Sequence, residues 1–365
     1  MAQTVAYING FETGDASELN ALGGSSSVQG TTVRTGAYAL KQAVSATVFQ
    51  ANSTLQSTQT VVRLYLQIPG APAGGTVFLN EKTANTIRLQ LSITTAAKLR
   101  IADLSATFGL TATIGSTVLS AGQFYRVELA FDLAAGGVVK VWLNDNLEIN
   151  VIHTNDVSAA LTGSFYLNGM ANPNEYYFDD VRIDTGGVAA IGAGQIIARQ
   201  GAAGTPTYDS WTKVGAATAA LCWSDTPFST ATSCTSITSA QAQTMLVAPF
   251  SSTQSGHGTQ TVGSGDTINA AKTALIAKEA TAGGGSIRRR VNGVDTDTAK
   301  APTTADKYFD DGIWTTTPAN LDLLEAGYVK SGNVNLTTVE DVWVITDYTP
   351  AVGGASSGLL LMKVS

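Results

Sequence analysis

Charge is scarce in this sequence. Only 13% of the 365 residues are Asp, Glu, Lys or Arg, and 28 acidic residues against 21 basic ones give a net charge of −7. Nucleic-acid-binding proteins take most of their affinity from clustered Lys and Arg. The single basic run, Arg288-Arg289-Arg290, would point alternately to opposite faces of a strand, which predicts a solvated or ion-paired surface. The composition therefore argues against nucleic acid as a partner.

Cysteine and histidine are equally rare. Cys222 and Cys234 predict two free thiols in a reducing compartment, with a disulfide formed later outside the cell as the alternative. Their spacing matches no closed zinc site, and no Gly-Lys-Ser/Thr phosphate-binding loop is present. A Ser-His-Asp set would need His153 or His257, and His257 lies in a small, polar segment that cannot hold a catalytic base rigidly.

Long apolar runs are also missing. No segment approaches the ~20 residues that a transmembrane helix needs. The first residues, Met1-Ala-Gln-Thr-Val, lack the basic and apolar regions of a secretory signal. We therefore expect synthesis in a cytoplasm and no membrane partner.

Short runs that alternate between apolar and polar residues are abundant, and residues 124–132, 138–143 and 176–183 are the clearest. Such alternation predicts antiparallel strands with one buried face. About a dozen of these runs before residue 185 predict two packed sheets of five or six strands each. The apolar faces of the three clearest runs predict these core residues: Phe124, Val127, Leu129, Phe131, Val141, Leu143, Phe178, Val181 and Ile183.

The second half has weaker patterns. Small residues at 185–194 predict a flexible linker, so we expect domains at 1–185 and 186–350, followed by a spacer and an apolar strand at 351–365. Residues 266–280 favour a helix by propensity and a strand by context, and we predict a strand. Other strands are predicted at 195–199, 244–248, 286–291 and 339–348. A short helix is predicted after Thr317-Pro318, ending at Gly327. The predicted class is all-β: an antiparallel jelly-roll sandwich followed by a second β-rich domain with one short helix.

Four motifs resemble the jelly roll of concanavalin A-like and laminin G-like domains. They are Gly10-Phe-Glu-Thr-Gly14 and residues 34–40, 124–129 and 178–183. With residues 308–315 and the closing strand, the two-part layout is similar to structural proteins of tailed-bacteriophage virions. The resemblance implies a capsid decoration, head fibre or tail-associated protein on the particle exterior. Its partners would be copies of itself and other virion proteins.

Sandwich glycosidases of this superfamily place acids at alternate positions on one strand. The nearest match here is Glu175, Tyr177 and Asp179, with Tyr in the middle position. Glu175 and Asp179 would lie roughly 13 Å apart at ~3.3 Å per residue, too far to share one glycosidic bond. We therefore predict that the protein is not an enzyme.

Carbohydrate-binding modules of similar architecture hold a structural calcium ion between the first and last strands. Residue by residue, the resemblance implies Glu12 and Asp180 as ligands, with Asp179 pointing to the other face. In the alternative interpretation, Glu12 caps a turn and Asp180 pairs with an arginine such as Arg34 or Arg126. Calcium is the one cofactor that the sequence suggests.

The sequence thus favours a non-enzymatic structural protein that acts through subunit contacts, with a trimer expected by analogy. The alternative is a glycan-binding adhesin for attachment to the host surface. Its candidate residues are aromatic side chains beside amides: Trp142, Asn144, Asn174, Tyr176 and Tyr177. A buried Trp142 would favour the structural hypothesis, because a Trp in an alternating strand usually belongs to the core.

The C-terminus ends in an apolar hexapeptide, residues 359–364, after a Gly- and Ser-rich spacer. Such a segment is an aggregation hazard when left in solvent, so we expect it to be covered. It either pairs with a sheet of its own domain or adds a strand to a neighbouring subunit. The predicted interface residues are Leu359, Leu360, Leu361 and Met362.

Overall fold

A computed structural model describes residues 3–199 apart from 13, 15–17, 20–25, 43–45, 52–56, 69–75, 84–85, 160–163 and 169–174. In the second half it describes residues 212–214, 234–237, 243–247, 262–281, 286–291, 294–295, 300–305, 307–310, 312–322, 326–331 and 337–351. The chain divides into two compact units, Met1–Ala193 and Gly194–Ser365. The division falls near the end of the small-residue stretch, 185–194, that the sequence predicts as a linker.

The described residues of the first unit form fourteen strands, all paired antiparallel. Their bounds are β1 Thr4–Asn9, β2 Ser27–Gln29, β3 Ala39–Gln42, β4 Ala46–Ala51, β5 Gln59–Gln67, β6 Thr76–Thr83, β7 Thr86–Ile93, β8 Lys98–Asp103, β9 Thr113–Val118, β10 Phe124–Asp132, β11 Val138–Leu143, β12 Asn146–Ile152, β13 Ser164–Asn168 and β14 Tyr176–Thr185.

These strands form an eight-stranded and a six-stranded sheet. The first has the order β12-β11-β10-β5-β14-β3-β2, and the second has the order β4-β13-β6-β7-β8-β9. In the larger sheet β14 pairs with β3 along its first residues and with β1 along its last ones. One edge of β14 therefore changes partner near its middle.

The sandwich core lies between the inward faces of the two sheets. Of the nine predicted core residues, eight are buried and Phe124 is half-buried, which confirms the strand register. Their outward neighbours alternate with them, as in β11, where Val139, Val141 and Leu143 are buried while Lys140 and Trp142 are not. Strands β4 and β9 were not predicted from the sequence.

The second unit is also almost entirely β-structure in its described residues. Its strands are β15 Gln195–Arg199, β16 Thr212–Val214, β17 Cys234–Ile237, β18 Gln243–Val247, β19 Thr267–Glu279, β20 Ser286–Val291, β21 Val294–Asp295, β22 Lys307–Asp310, β23 Ala326–Ser331 and β24 Thr337–Thr349. One sheet has the order β16-β17-β24-β19-β22, with β15 also on β24, and a four-stranded sheet has the order β18-β23-β20-β21. Long strands β19 and β24 pair along almost their whole lengths. This pairing explains why residues 266–280 form a strand despite their helix propensity.

The predicted short helix is present as α1, Pro318–Asp322. Thr317 Oγ1 caps it by accepting a hydrogen bond from Asn320 N at 3.2 Å. The predicted end at Gly327 is wrong, because Gly327 lies in β23, where it pairs with β18 and β20. No helix in the described part of the chain is long and apolar enough to span a membrane.

Candidate functional site

The most unusual group of side chains lies where β14 changes partner. The register of β14 against β5 shifts between Asp179 and Arg182, and Asp180 has a left-handed backbone with φ +49°. A left-handed Asp is uncommon in a strand, and together with the bulge it re-aims the side chains. Both carboxyl groups reach the segment before β3. Asp179 accepts hydrogen bonds from Arg34 N at 2.9 Å and Thr35 N at 3.2 Å, and Asp180 accepts one from Thr35 Oγ1 at 2.7 Å.

The expectation that Asp179 points to the other face from Asp180 is therefore wrong. The physical reason is the bulge, because the two-residue alternation of a strand holds only while the backbone stays extended. Arg34 forms an ion pair with Asp180, as the alternative interpretation expected. The Arg34 guanidinium also stacks on the Tyr65 ring, with Cζ 3.3 Å from the ring centroid.

Glu12 brings a third buried acid to this place. The turn after β1 holds Phe11 at φ +60° with its side chain in the core, and Glu12 follows with its own side chain wholly buried. Glu12 Oε2 accepts a hydrogen bond from Ala37 N at 3.0 Å, whereas Oε1 has no hydrogen-bond partner. Gly36 has φ +65°, and a Cβ atom there would lie 2.0 Å from Glu12 Oε1. We call Glu12, Asp179 and Asp180 the acid cluster.

Burial and mutual repulsion both act on the acid cluster. Burial raises the pKa of Glu12 well above its usual value, and the charge of Asp179 raises it further. Burial likewise raises the pKa of Asp179, with Asp180 as the next cause, although the N–H groups of Arg34 and Thr35 oppose the shift. A protonated acid or a bound cation would relieve this repulsion.

The contacts of the acid cluster bear on whether calcium could bind there. The donors are hard carboxylate oxygens, and one of them, Glu12 Oε1, is buried without a partner. However, Asp180 is already neutralised by Arg34. Within the described residues, no group of three or more Asp, Glu, His or Cys side chains has an arrangement that could hold a metal ion. The oxygen donors are of the kind that calcium prefers, but their arrangement forms no metal site, and Glu12 Oε1 is the atom that a cation would engage first.

The outer face of the eight-stranded sheet carries a row of charged side chains that the sequence analysis did not identify. Glu128 in β10 lies opposite Trp142 on one side and opposite Arg63 in β5 on the other, and Arg63 lies opposite Arg182 in β14. Arg63 and Glu128 are wholly buried. A buried charge in this strand could have been predicted from the sequence, because Arg63 is the one charged residue in the apolar strand β5.

The segment that follows β14 accounts for part of this burial. The Glu128 carboxylate accepts hydrogen bonds from Ile191 N and from Gly192 N, the latter at 3.1 Å, and Arg126 Nε lies 3.0 Å from Glu128 Oε1. Burial raises the pKa of Glu128, although the Ile191 N–H and Arg126 oppose the shift. We call residues 186–192 the strap, since Glu128 anchors them to the sandwich.

The predicted glycan-binding residues do not form one group. Trp142 is half-buried on the outer face, with Lys140 Nζ 5.9 Å from its ring, so it is not a core residue. Tyr177 is half-buried on the outer side of β14, whereas Tyr176 is wholly buried and stacks edge-on against Phe178. Tyr176 therefore cannot contact a glycan in this structure. Strands β10 and β5 separate Trp142 from Tyr177.

Of the two asparagines predicted to bind glycan, the structure describes Asn144. Asn144 is exposed in the β11–β12 turn, where its Oδ1 accepts a hydrogen bond from Arg126 N at 2.8 Å and its own N–H donates to Arg126 O at 3.0 Å. Asn144 thus ties the hairpin to β10. Several predicted residues lie outside the described ones: Asn174, Cys222, His257, Leu359, Leu360, Leu361 and Met362.

The residues considered for catalysis have structural contacts. Glu175 forms a partly exposed ion pair with Lys41 at 2.8 Å. His153 is buried against Phe108, and its two ring nitrogens face the carbonyl oxygens of Asn155 and Asp132. These contacts engage both ring nitrogens of His153 and one carboxylate oxygen of Glu175.

A second unusual surface lies where the two sheets meet at one side of the sandwich. Strand β9 is the edge of the six-stranded sheet and β12 is the edge of the eight-stranded sheet. Glu148 in β12 joins them by accepting hydrogen bonds from Ser116 N at 2.7 Å, Thr117 N at 3.1 Å and both hydroxyl groups. Burial alone would raise the pKa of Glu148, but these hydrogen bonds outweigh it and lower the pKa.

Four large apolar side chains are exposed along these two edge strands. Their exposed fractions are 54% for Ile114, 58% for Val118, 49% for Leu147 and 70% for Ile152. Among the described residues, the other large apolar side chain with comparable exposure is Leu104. We call Ile114, Val118, Leu147 and Ile152 the edge flank.

Comparisons with known proteins give distant structural similarities only. No family model matches the chain, and no curated protein matches it in sequence. A cellulose-induced protein is 16% identical over 51% of this chain and 99% of its own, with a TM-score of 0.39. An endo-β-1,4-glucuronan lyase from the fungus Trichoderma reesei is 11% identical over 50% of this chain and 96% of its own, with a TM-score of 0.38.

Domain 4 of an extracellular arabinanase from Geobacillus stearothermophilus, solved with arabinotriose, is 16% identical over 52% of this chain and 96% of its own, with a TM-score of 0.35. Similarities this distant carry no argument about function. The all-β fold itself follows from the strand pairing described above.

Proposed function

We propose that this chain is a non-enzymatic structural protein on the exterior of a tailed-phage virion, where it acts through contacts with other subunits. The edge flank is the observation that supports this function best. Four large apolar side chains are exposed on two neighbouring edge strands, and an uncovered sheet edge is a place where another chain can bind.

The contacts of the polar side chains support binding over catalysis. The acid cluster is buried and held by backbone N–H groups and Arg34. His153 faces two backbone carbonyl oxygens, and Glu175 is paired with Lys41. A nucleophile with an adjacent base, or two acids across an open cleft, is what hydrolytic chemistry needs. The described residues offer neither arrangement.

The virion assignment comes from the resemblance of the sequence, so its test is location. Particles purified from infected cells should contain the chain in stoichiometric amounts by mass spectrometry. Immunogold labelling with antibody against the chain should decorate intact, unopened particles. A chain found only in the lysate, or labelled only after particles are opened, would contradict the proposal.

Glycan binding is the second candidate, and the position of Trp142 supports it. A half-exposed Trp on a sheet face, with Lys140 beside it, can stack on a sugar ring. A site that also used Tyr177 would cross three strand spacings of ~4.8 Å and an offset of four residues of ~3.3 Å along the strands, roughly 19 Å in all, which requires a ligand of several sugars. The candidate site is therefore the surface around Trp142, with Tyr177 at its far end.

A glycan array with the purified chain tests this candidate. Trp142→Ala should abolish any binding that is seen. Tyr166→Ala is the matched control, because Tyr166 is a half-buried aromatic residue in β13 of the other sheet. Equal loss with both variants, or no glycan retained by the unmodified chain, would count against the adhesin function.

A further inference from the structure

The edge flank raises the question of what covers it. Outward positions of the same strands carry polar residues such as Ser116 and Asn150, so the surface does not require apolar residues there. Edge strands in monomers are normally protected by charge or covered. On the edge flank, Glu148 satisfies the Ser116 and Thr117 N–H groups, while the apolar side chains stay in solvent.

The Glu148 contacts also define how a partner can bind. Two backbone donors of β9 are already occupied, so continuous strand addition along that edge is blocked at Ser116 and Thr117. Gly115 lies between them and Ile114, and a Cβ there would lie 2.9 Å from Glu148 Oε2, so the two edges approach closely. The partner would therefore contribute mainly apolar side chains, to Ile114 and Val118 on β9 and to Leu147 and Ile152 on β12.

The chain itself carries a segment of this chemistry. Fourteen residues, 352–365, follow the last described residue, Ala351, and they contain the apolar run 359–364 with Lys363 as its single charge. Asp145 next to β12 pairs with Arg126, and both Glu148 oxygens accept hydrogen bonds from β9, so these acids do not select the charge of a partner. Segment and surface thus match in apolar character.

We propose that the edge flank binds the C-terminal residues 359–364 of a neighbouring copy of this chain. The proposal rests on the structural function proposed above and names its partner as a second copy. Each copy would give one tail and receive one, a heterologous contact that can close into a ring. A closed trimer of this kind would leave no flank uncovered.

Two variants break the contact from opposite sides. One deletes residues 358–365, and the other is the double substitution Leu147→Asp with Ile152→Asp on the edge flank. Because both flank side chains are exposed, the substitutions leave the core intact, and circular dichroism checks the fold. Leu104→Asp is the control, since Leu104 is 52% exposed and follows β8, outside the two strands of the edge flank.

Light scattering after size exclusion gives the mass of each variant. The unmodified chain and the Leu104 variant should run as the same oligomer. The flank variant should fall to a monomer mass close to the 37.6 kDa of the full chain, and the deletion to the slightly lower mass of its own monomer. An unmodified monomer, or an oligomer that survives either variant, would overturn the proposal. A deletion that leaves a monomer unchanged in mass but lowers its melting temperature would show that the tail binds its own chain.

Complementation makes the test specific. The deleted protein keeps an intact edge flank, and the flank variant keeps an intact tail. Mixing the two should give a 1:1 complex, because each supplies what the other lacks. Two deleted copies or two flank variants should not associate. Absence of the mixed complex would overturn tail exchange, whereas failure of particle labelling would overturn only the virion location.

Discussion

The acid cluster and the edge flank lie in the same sandwich and depart from ordinary side-chain placement in opposite directions. In the acid cluster, Glu12, Asp179 and Asp180 are wholly buried, and Arg34 forms an ion pair with Asp180. On the edge flank, four large apolar side chains face solvent. Burying a charge and exposing apolar surface both lower the stability of an isolated domain. We infer from this comparison that each place gains stability when it binds something. The acid cluster would bind a proton or a cation, and the edge flank would bind apolar side chains.

The largest loss of stability is expected from a substitution of Gly36, which lies against Glu12 of the acid cluster. Gly36→Ala places a Cβ 2.0 Å from Glu12 Oε1, and neither the buried carboxylate nor the backbone at φ +65° can adjust freely. We expect the variant to lose most of its stability or to fail to fold, as seen by urea unfolding.

Gly122→Ala separates the clash from backbone strain. Gly122 has φ +74°, but a Cβ there meets nothing within 4 Å. Its cost should be the left-handed penalty alone, about 1–2 kcal/mol. Similar losses for the two variants would show that Glu12 is free to move and that the acid cluster is loosely packed.

The next largest effect is a dependence of stability on pH that comes from Glu12. The pKa of Glu12 is raised in the folded chain, so its stabilising contribution is complete below the ordinary carboxyl value of 4.5 and is lost as pH rises through the raised value. Glu12→Gln cannot ionise, and its amide oxygen can still accept the Ala37 N–H. In EDTA, the variant should therefore gain stability over the unmodified chain as pH rises, by up to about 1.4 kcal/mol per pH unit inside that window.

Thermal unfolding at several pH values between 4 and 8 measures this difference. Glu175→Gln serves as control, because Glu175 is a partly exposed partner of Lys41. A stability difference for Glu12→Gln that stays constant with pH would mean that Glu12 does not titrate in the cluster.

Calcium should produce a smaller shift in the same cluster. A ligand that binds only the folded chain stabilises it by about 2.7 kcal/mol at a hundred times its Kd, so millimolar calcium should raise the melting temperature by several degrees and EDTA should reverse it. Glu12→Gln should remove the response, since it replaces the acid that has an unpartnered oxygen. Unchanged melting of the unmodified chain in EDTA would eliminate a structural calcium.

The smallest change in stability is expected from a substitution on the edge flank. Leu147→Ala on the edge flank should change the stability of the monomer by less than about 0.5 kcal/mol, because that side chain already faces solvent. Its inward neighbour in the same strand is Ile149, which is buried, and Ile149→Ala should cost about 2–5 kcal/mol in urea unfolding. A large loss for Leu147→Ala in the monomeric, tail-deleted protein would show that Leu147 belongs to the core.

The sequence predicted what depends on local alternation. The bounds of β10 and β11 were correct to the residue, and eight of nine core positions are buried, because each strand repeats with period two. Strand β9 was missed, since Thr-Ile-Gly-Ser-Thr-Val has no apolar alternation and its place depends on pairing with β8 and on Glu148.

The same local rule failed at the acid cluster. Alternation put Asp179 and Asp180 on opposite faces, whereas β14 bulges where β1 replaces β3 as its neighbour. That exchange of partners joins residues far apart in sequence, and no period within β14 reveals it. Glu12 was placed near Asp180 through the resemblance to known modules, whereas Arg34 came from the alternative in which Asp180 pairs with an arginine.

The strap determines where this sandwich can be excised or fused to another protein. A gene fragment that ends at residue 185, the boundary suggested by composition, would delete the Ile191 and Gly192 amides and leave the buried Glu128 carboxylate to Arg126. A fragment that runs to Ala193 keeps both donors. The glycine-rich stretch is therefore an integral part of the transplantable module, and a fusion joint belongs after it.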